Sequence, residues 1–187
     1  QGRDAYGKDE GYARMGKDLR PDIVVKPNST IEVSKILKFA FENDVPVTPW
    51  GAGTSLEGQS LAFHGGITID LRGLNKIRRT LIDDFQVEVE VGVLQQDLDK
   101  KLRELGVFFP PNPGAPATIG GMISNNSSGS RAVKYGVTRD YVKQLEVVLA
   151  DGTITKLGTR ATKTSSGFDL LDVVVGSEGT LCIITAA

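Results

Sequence analysis

In 187 residues, 22 Lys and Arg face 23 Asp and Glu, a formal net charge of −1. That balance argues against a nucleic-acid binder, whose electrostatic footprint is a basic excess. Charged residues at 24% and apolar residues at 40% describe an ordinary folded protein, no apolar run approaches a membrane helix, and one cysteine with one histidine makes neither a disulfide framework nor a zinc site.

Residues 1–20 are polar and aperiodic and are expected to form an irregular lead-in without a secretory signal. Ile23-Val24-Val25, closed by Pro27, reads as a buried strand of a parallel sheet. Ser29 and Glu32 form a capping box, and Val33, Ile36, Leu37, Ala40 and Phe41 make the apolar stripe of the helix that follows. Asn43-Asp44 ends it before a second strand at Val45-Pro46-Val47. Ile67, Ile69 and Leu71, alternating with Thr68 and Asp70, mark a third strand and complete a strand–helix–strand unit.

Beyond residue 75 the pattern changes. Val87, Val89, Val91 and Val93 alternate with Glu88, Glu90 and Gly92, which predicts a strand with one wet face. Leu94, Leu98, Leu102 and Leu105 predict a helix stopped by Gly106. Asp151-Gly152 between two apolar runs is a hairpin signal, and Leu181 to Thr185 reads as a last strand. The organisation expected is α+β: lead-in 1–20, a parallel α/β part over 21–75 and a mainly antiparallel part over 76–187.

The chain carries 22 glycines, several of them clustered. The first cluster, Pro49-Trp50-Gly51-Ala52-Gly53-Thr54-Ser55-Leu56-Glu57-Gly58, follows a strand but lacks the third glycine of a dinucleotide fingerprint and the Gly-Lys-Ser/Thr of a Walker loop. What remains is a tight turn whose successive N–H groups can form a nest for a diphosphate, or simply a strand-ending turn. The second cluster has four prolines within residues 110–116, including Pro113 beside Gly114. It runs on through Thr118, Gly120, Gly121, Ser124, Asn125, Asn126 and Gly129. Thr118 is expected to cap a short helix whose positive end a ligand backbone approaches at the two glycines. Its amides and hydroxyls suit holding a cofactor rather than acid–base chemistry. The third cluster, Gly176-Ser177-Glu178-Gly179-Thr180, leads into a buried run through Cys182 and Ile184.

Taken in order, P-x-G-x-G-T-S, P-G-x-x-x-T-I-G-G-x-x-x-x-N-x-x-G and G-S-E-G-T-L resemble the FAD-binding (PCMH-type) domain shared by vanillyl-alcohol oxidase, p-cresol methylhydroxylase and their relatives. The run 133–142 and the Leu-Glu-Val-Val-Leu-Ala-Asp-Gly after it look most like the D-lactate dehydrogenase and glycolate oxidase FAD-subunit branch. The resemblance implies two subdomains clasping FAD. Gly51, Ala52, Gly53, Thr54 and Ser55 would hold the pyrophosphate. Thr118, Gly120, Gly121, Asn125 and Asn126 would line the flavin and its ribityl-diphosphate arm, with Glu178, Gly179 and Ile184 near the adenosine end. Trp50, Pro113, Gly114, Ser124 and Gly129 complete the candidate set, Trp50 with packing as its other reading.

FAD is expected to be non-covalent, because His64 reads as a surface loop residue and Cys182 as core. The resemblance places substrate binding, the catalytic histidine and, in several members, a metal site in a C-terminal cap domain absent from these residues, so neither catalytic residue nor metal site is assigned here. Arg131, Lys134 and Arg139 are the nearest basic side chains. The implied reaction is hydride transfer from C2 of a D-2-hydroxy acid to flavin. Other flavin chemistry (alcohol or sugar oxidation, alkyl-dihydroxyacetone-phosphate synthesis) and a non-redox nucleotide-binding module stay open. The expected partner is a small 2-hydroxy acid, with no nucleic acid and no transmembrane segment, and the expected location is the cytoplasm, with peripheral attachment to the inner membrane face left open.

Overall fold

The computed structural model describes residues 2–9, 19–165 and 167–187. Strands β1 (Ile23–Val25), β2 (Val47–Trp50) and β3 (Ile67–Asp70) form a parallel sheet in the order β1-β3-β2, with helix α1 (Thr30–Glu42) connecting the first two. Because β3 is central, all four of its residues are buried, Thr68 and Asp70 included. Position in the sheet has overridden the alternation of polar side chains. β1 lies at an edge, and Ile23 is 52% exposed instead of buried as expected.

The Ser29 hydroxyl accepts the Glu32 N–H at 3.2 Å, but the Glu32 carboxylate reaches back to the N–H of Asn28, one residue earlier than a capping box requires. Val33, Leu37 and Ala40 form the buried stripe of α1, while Phe41 faces outward. The second strand starts two residues later than expected. Asp44 takes a positive φ of 53°, and the Val45 N–H still bonds to Ala40 O at 2.9 Å, so Val45 belongs to the helix exit.

Strands β4 (Ile77–Leu81) and β5 (Gln86–Val89) pair antiparallel, as do β6 (Gln144–Val148), β7 (Ile154–Gly158) and β8 (Ile183–Ala186) in the order β7-β6-β8. Val89 and Ala187 exchange backbone hydrogen bonds of 2.8 and 2.9 Å, which sets β5 beside β8 and joins the two antiparallel groups. Asp151 Oδ1 accepts the Thr153 N–H at 2.8 Å, and Gly152 takes φ of 86°, as the hairpin signal predicts. The valine-rich strand stops at Val89, and Glu90 is buried, not wet. Its carboxylate accepts the Lys76 N–H at 2.9 Å and pairs with Arg78 Nε at 3.4 Å, which compensates its burial.

Helices α2 (Gln95–Arg103), α3 (Ile119–Ser124), α4 (Ala132–Tyr135) and α5 (Leu170–Val174) complete the fold. Leu98 and Leu102 anchor α2, whereas Leu105 is largely exposed past its end. The parallel and antiparallel parts meet through α1, where Thr30 Oγ1 donates to Glu146 Oε1 at 2.7 Å and Ser34 Oγ to Gly152 O at 2.5 Å. One continuous apolar cluster runs from Val33 and Ile69 through Val91, Met122 and Leu145 to Ile184. Leu181, expected to open the last strand, is mostly exposed.

Candidate functional site

The first glycine cluster leaves the end of β2. Trp50 is 5% exposed, and a Cβ on Gly53 would lie 2.4 Å from its Cζ2 atom, at a φ of +71°. Only glycine fits both the conformation and the space. Trp50 therefore packs beneath the turn. Thr54 Oγ1 donates to Pro116 O at 3.0 Å, and the single Ser55 hydroxyl proton goes to Gln59 Oε1, with Asp9 Oδ2 farther off at 3.4 Å. Both hydroxyl protons thus hold the loop itself. Among the described residues, the N–H groups of 51–55 have no protein acceptor. Successive unengaged amides around a left-handed residue form an anion-binding concavity.

The second cluster divides its labour. Thr118 caps α3, its Oγ1 accepting the Gly121 N–H at 3.2 Å. The Ile119 and Gly120 N–H groups each donate at 2.8 Å, to Val93 O and Val91 O. The first three donors of α3 are therefore consumed inside the protein, and the expected open, positive helix end is not there. A Cβ on Gly120 would meet Val91 Cβ at 2.7 Å, while one on Gly121 would meet only Thr118 Oγ1, at 3.2 Å. Gly120 faces the core and Gly121 faces open space. Gly129 lies against the carbonyl of Asn112, whose side chain accepts the Gly114 N–H at 3.1 Å. Asn126 sits at φ of 47° and accepts the Arg139 N–H at 2.9 Å, while Asn125 is exposed. Pro113 is half-buried.

The third cluster docks on the end of α3. The Glu178 N–H bonds to Ser124 O at 2.9 Å and the Gly176 N–H to Ile123 O at 3.0 Å. A Cβ on Gly179 would stand 2.5 Å from Pro49 Cγ, so this turn also abuts the approach to the first loop. Gln59 Nε2 reaches Glu178 Oε1 at 3.5 Å. A Cβ on Gly51 would meet Thr118 Oγ1 at 2.6 Å. Three clusters far apart in sequence thus converge, with Ile184 of β8 buried in the core cluster.

His64 is exposed in the turn before Gly65, and Cys182 is buried, which pushes its thiol up to about 11. Arg139 is engaged with Asp172 at 2.9 Å and with Val175 O at 2.7 Å, while Arg131 and Lys134 lie over the rings of Phe108 and Tyr135. The sequence reading missed Tyr6, Asp9, Asp70 and Arg72, which surround the first loop from other parts of the chain. No local pattern marks them. Clefts of about 810 and 490 Å³ open beside α2 and beside β5, and neither is lined by residues 51–55.

A glycine loop whose amides have no acceptor among the described residues follows a parallel strand and is met by two further loops from the antiparallel part. The chain belongs to the FAD binding domain family, whose model matches residues 21–158, and its fold is the PCMH-type α+β fold. It is 47% identical over 167 residues to a D-lactate dehydrogenase of Anaerostipes hadrus, covering 89% of this chain and 35% of that one. It is also 47% identical over 180 residues to the mitochondrial D-lactate dehydrogenase [cytochrome] of Arabidopsis thaliana, covering 96% and 32%. A glycolate oxidase subunit of Bacillus subtilis is 43% identical over 169 residues, covering 89% and 36%. Among solved structures, an alkyldihydroxyacetonephosphate synthase superposes with a TM-score of 0.83 at 27% identity, over 97% of this chain and 37% of that one. The chain spans about a third of the length of the curated relatives it matches.

Proposed function

We propose that this chain is the FAD-holding part of a flavin-dependent oxidoreductase acting on a D-2-hydroxy acid of the D-lactate or glycolate kind. The observation that carries the reading is the row of amides at 51–55 without an acceptor among the described residues, set where three glycine clusters meet. Those amides would hold the diphosphate. Gly121, open on its outer face, would let the cofactor approach α3, and Asn125, Asn126, Glu178 and Gly179 would border it. Gly53, Gly120 and Gly129 would serve by letting the loops pack. The cofactor would lie between the part over 21–75 and the part over 76–187.

Bound FAD supplies the acceptor for a hydride leaving C2 of the hydroxy acid. This chain's residues bind and orient. His64 lies in an exposed turn and Arg139 is tied to Asp172 and Val175, so we assign the base and the carboxylate clamp to the remainder of a longer protein, about three times this length in the relatives. The same surroundings support non-covalent FAD, since the buried Cys182 thiol is protonated at neutral pH. The identity to D-lactate dehydrogenases, higher than to the synthase, favours hydroxy-acid oxidation over other flavin chemistry. No helix among the described residues is long and apolar enough to cross a membrane. The proposed location is the cytoplasm; the mitochondrial names of the Arabidopsis and Danio rerio relatives favour an organelle as the alternative.

Titrating the purified protein with FAD, NAD and ATP tests the reading. Saturable binding of FAD alone, with a stable flavin absorbance, is expected; saturable NAD binding without FAD binding would overturn it.

A further inference from the structure

The family model begins at residue 21, yet residues ahead of it are built into the first glycine loop. Tyr6 is buried edge-on against Trp50, with ring centroids 4.9 Å apart, and its hydroxyl donates to Asp70 Oδ2 at 2.6 Å. Arg72 closes the cluster, bonding Asp70 Oδ2 at 2.7 Å and Tyr6 Oη at 3.1 Å. Three residues on, Asp9 is only 4% exposed. Its Oδ2 accepts the Gly58 N–H at 2.7 Å and, at the longer distance of 3.4 Å, the Ser55 hydroxyl. One buried carboxylate oxygen therefore fixes the Gly58 end of the turn from 55 to 58 and lies beside its Ser55 end, whose hydroxyl proton goes to Gln59.

We propose that Asp9 is a positioning residue for the diphosphate seat, anchoring Gly58 so that the turn after residue 55 is fixed and the amides of 51–55 stay presented to an anion. This rests on reading that loop as the seat of FAD. Tyr6 supports the other end of the loop through Trp50, whose ring lies under Gly53. A buried carboxylate beside a site for a dianion is unfavourable by charge alone. Its bond from Gly58 contributes to offsetting that cost, because an unpaired buried N–H at Gly58 would be costly and the turn would rearrange to satisfy it. Two substitutions separate the acceptor from the charge.

Asp9→Asn keeps an acceptor of the same shape and removes the charge. Asp9→Leu removes both. FAD dissociation constants of the 187-residue protein and the two variants are measured by flavin fluorescence, with amide hydrogen exchange at Gly58 followed without ligand. Emission of Trp50, the one tryptophan, reports folding. Asp9→Asn is expected to keep Gly58 protected and to bind FAD clearly more tightly than Asp9→Leu. Asp9→Leu is expected to bind about tenfold or more weakly, with Gly58 exchanging freely. Asp9→Leu binding as tightly as the unsubstituted protein, or Asp9→Asn weakening as much as Asp9→Leu, would overturn the role of Asp9 while leaving the FAD seat standing. An unsubstituted protein that binds no FAD would overturn the seat itself, and with it the role of Asp9 toward FAD.

Discussion

Gly120 and Gly121 are neighbours in the first turn of α3, and replacing each with alanine should have different consequences. At Gly120 the new methyl would sit 2.7 Å from Val91 Cβ, in a place fixed by the 2.8 Å bond from the Gly120 N–H to Val91 O. Overpacking of this kind costs about 1–3 kcal/mol, offset by the roughly 1 kcal/mol that alanine gains over glycine in a helix. Because Val91 is fully buried, the upper half of that range applies, and a net loss of roughly 1–2 kcal/mol follows. For a chain of this size that lowers the melting temperature by roughly 5 °C. At Gly121 the methyl would meet only Thr118 Oγ1, at 3.2 Å, and pressing on that cap roughly cancels the helix gain of about 0.5–1 kcal/mol, so the ligand-free protein should melt within about 2 °C of the unsubstituted one. The methyl would, however, project into the space proposed for the cofactor. Melting curves with and without saturating FAD separate the two effects. Gly120→Ala should melt lower in both, keeping the FAD-induced rise; Gly121→Ala should melt nearly unchanged alone and lose much of that rise. A full FAD-induced rise in Gly121→Ala, or a Gly120→Ala that melts no lower, would refute the division.

Gly53→Ala combines a left-handed φ with a clash on the Trp50 ring and should lose about 2–4 kcal/mol in urea unfolding even without FAD; an unchanged midpoint would remove the packing explanation. Burial raises the Asp70 carboxyl, but hydrogen bonds from Arg72 and Tyr6 outweigh it and hold the group below its usual value. Its contribution is thus present above the unfolded value near pH 4 and is lost as pH falls through the lower folded value. The urea midpoint should accordingly drop more steeply between about pH 5 and pH 3 in the unsubstituted protein than in Asp70→Asn; parallel slopes would contradict this. Acid precipitation of the FAD-loaded protein should leave a colourless pellet and yellow supernatant; a yellow pellet would show covalent attachment.

Much of the architecture was legible because the signals were local. Ser29, Gly106 and Asp151-Gly152 each act on backbone atoms within a few residues, although the Glu32 half of the capping box falls on Asn28 and Gly106 lies two residues past the C-cap Glu104. β4 was missed because Arg78, Arg79 and Thr80 interrupt the apolar alternation. Arg78 earns its place only across the sheet, against Glu88, Glu90 and Glu146. The wet face assigned to Glu90 failed for the same reason, since its partners are 14 and 12 residues away. At the candidate site, composition and order located the three glycine clusters but not the division between Gly120, which packs, and Gly121, which is open. Asp9 and Tyr6 carry no periodicity at all, and their partners at Gly58 and Asp70 are brought to them only by folding.

The amides of 51–55 are proposed to receive the diphosphate of FAD, and backbone amide chemical shifts of the isotopically labelled protein report on them without an intermediary. FAD should move the signals of Gly51, Ala52, Gly53, Thr54 and Ser55 strongly and saturably, whereas riboflavin, which has the same ring without the diphosphate, should leave them nearly in place. FAD binding that leaves those five signals unmoved while shifting others would contradict the account.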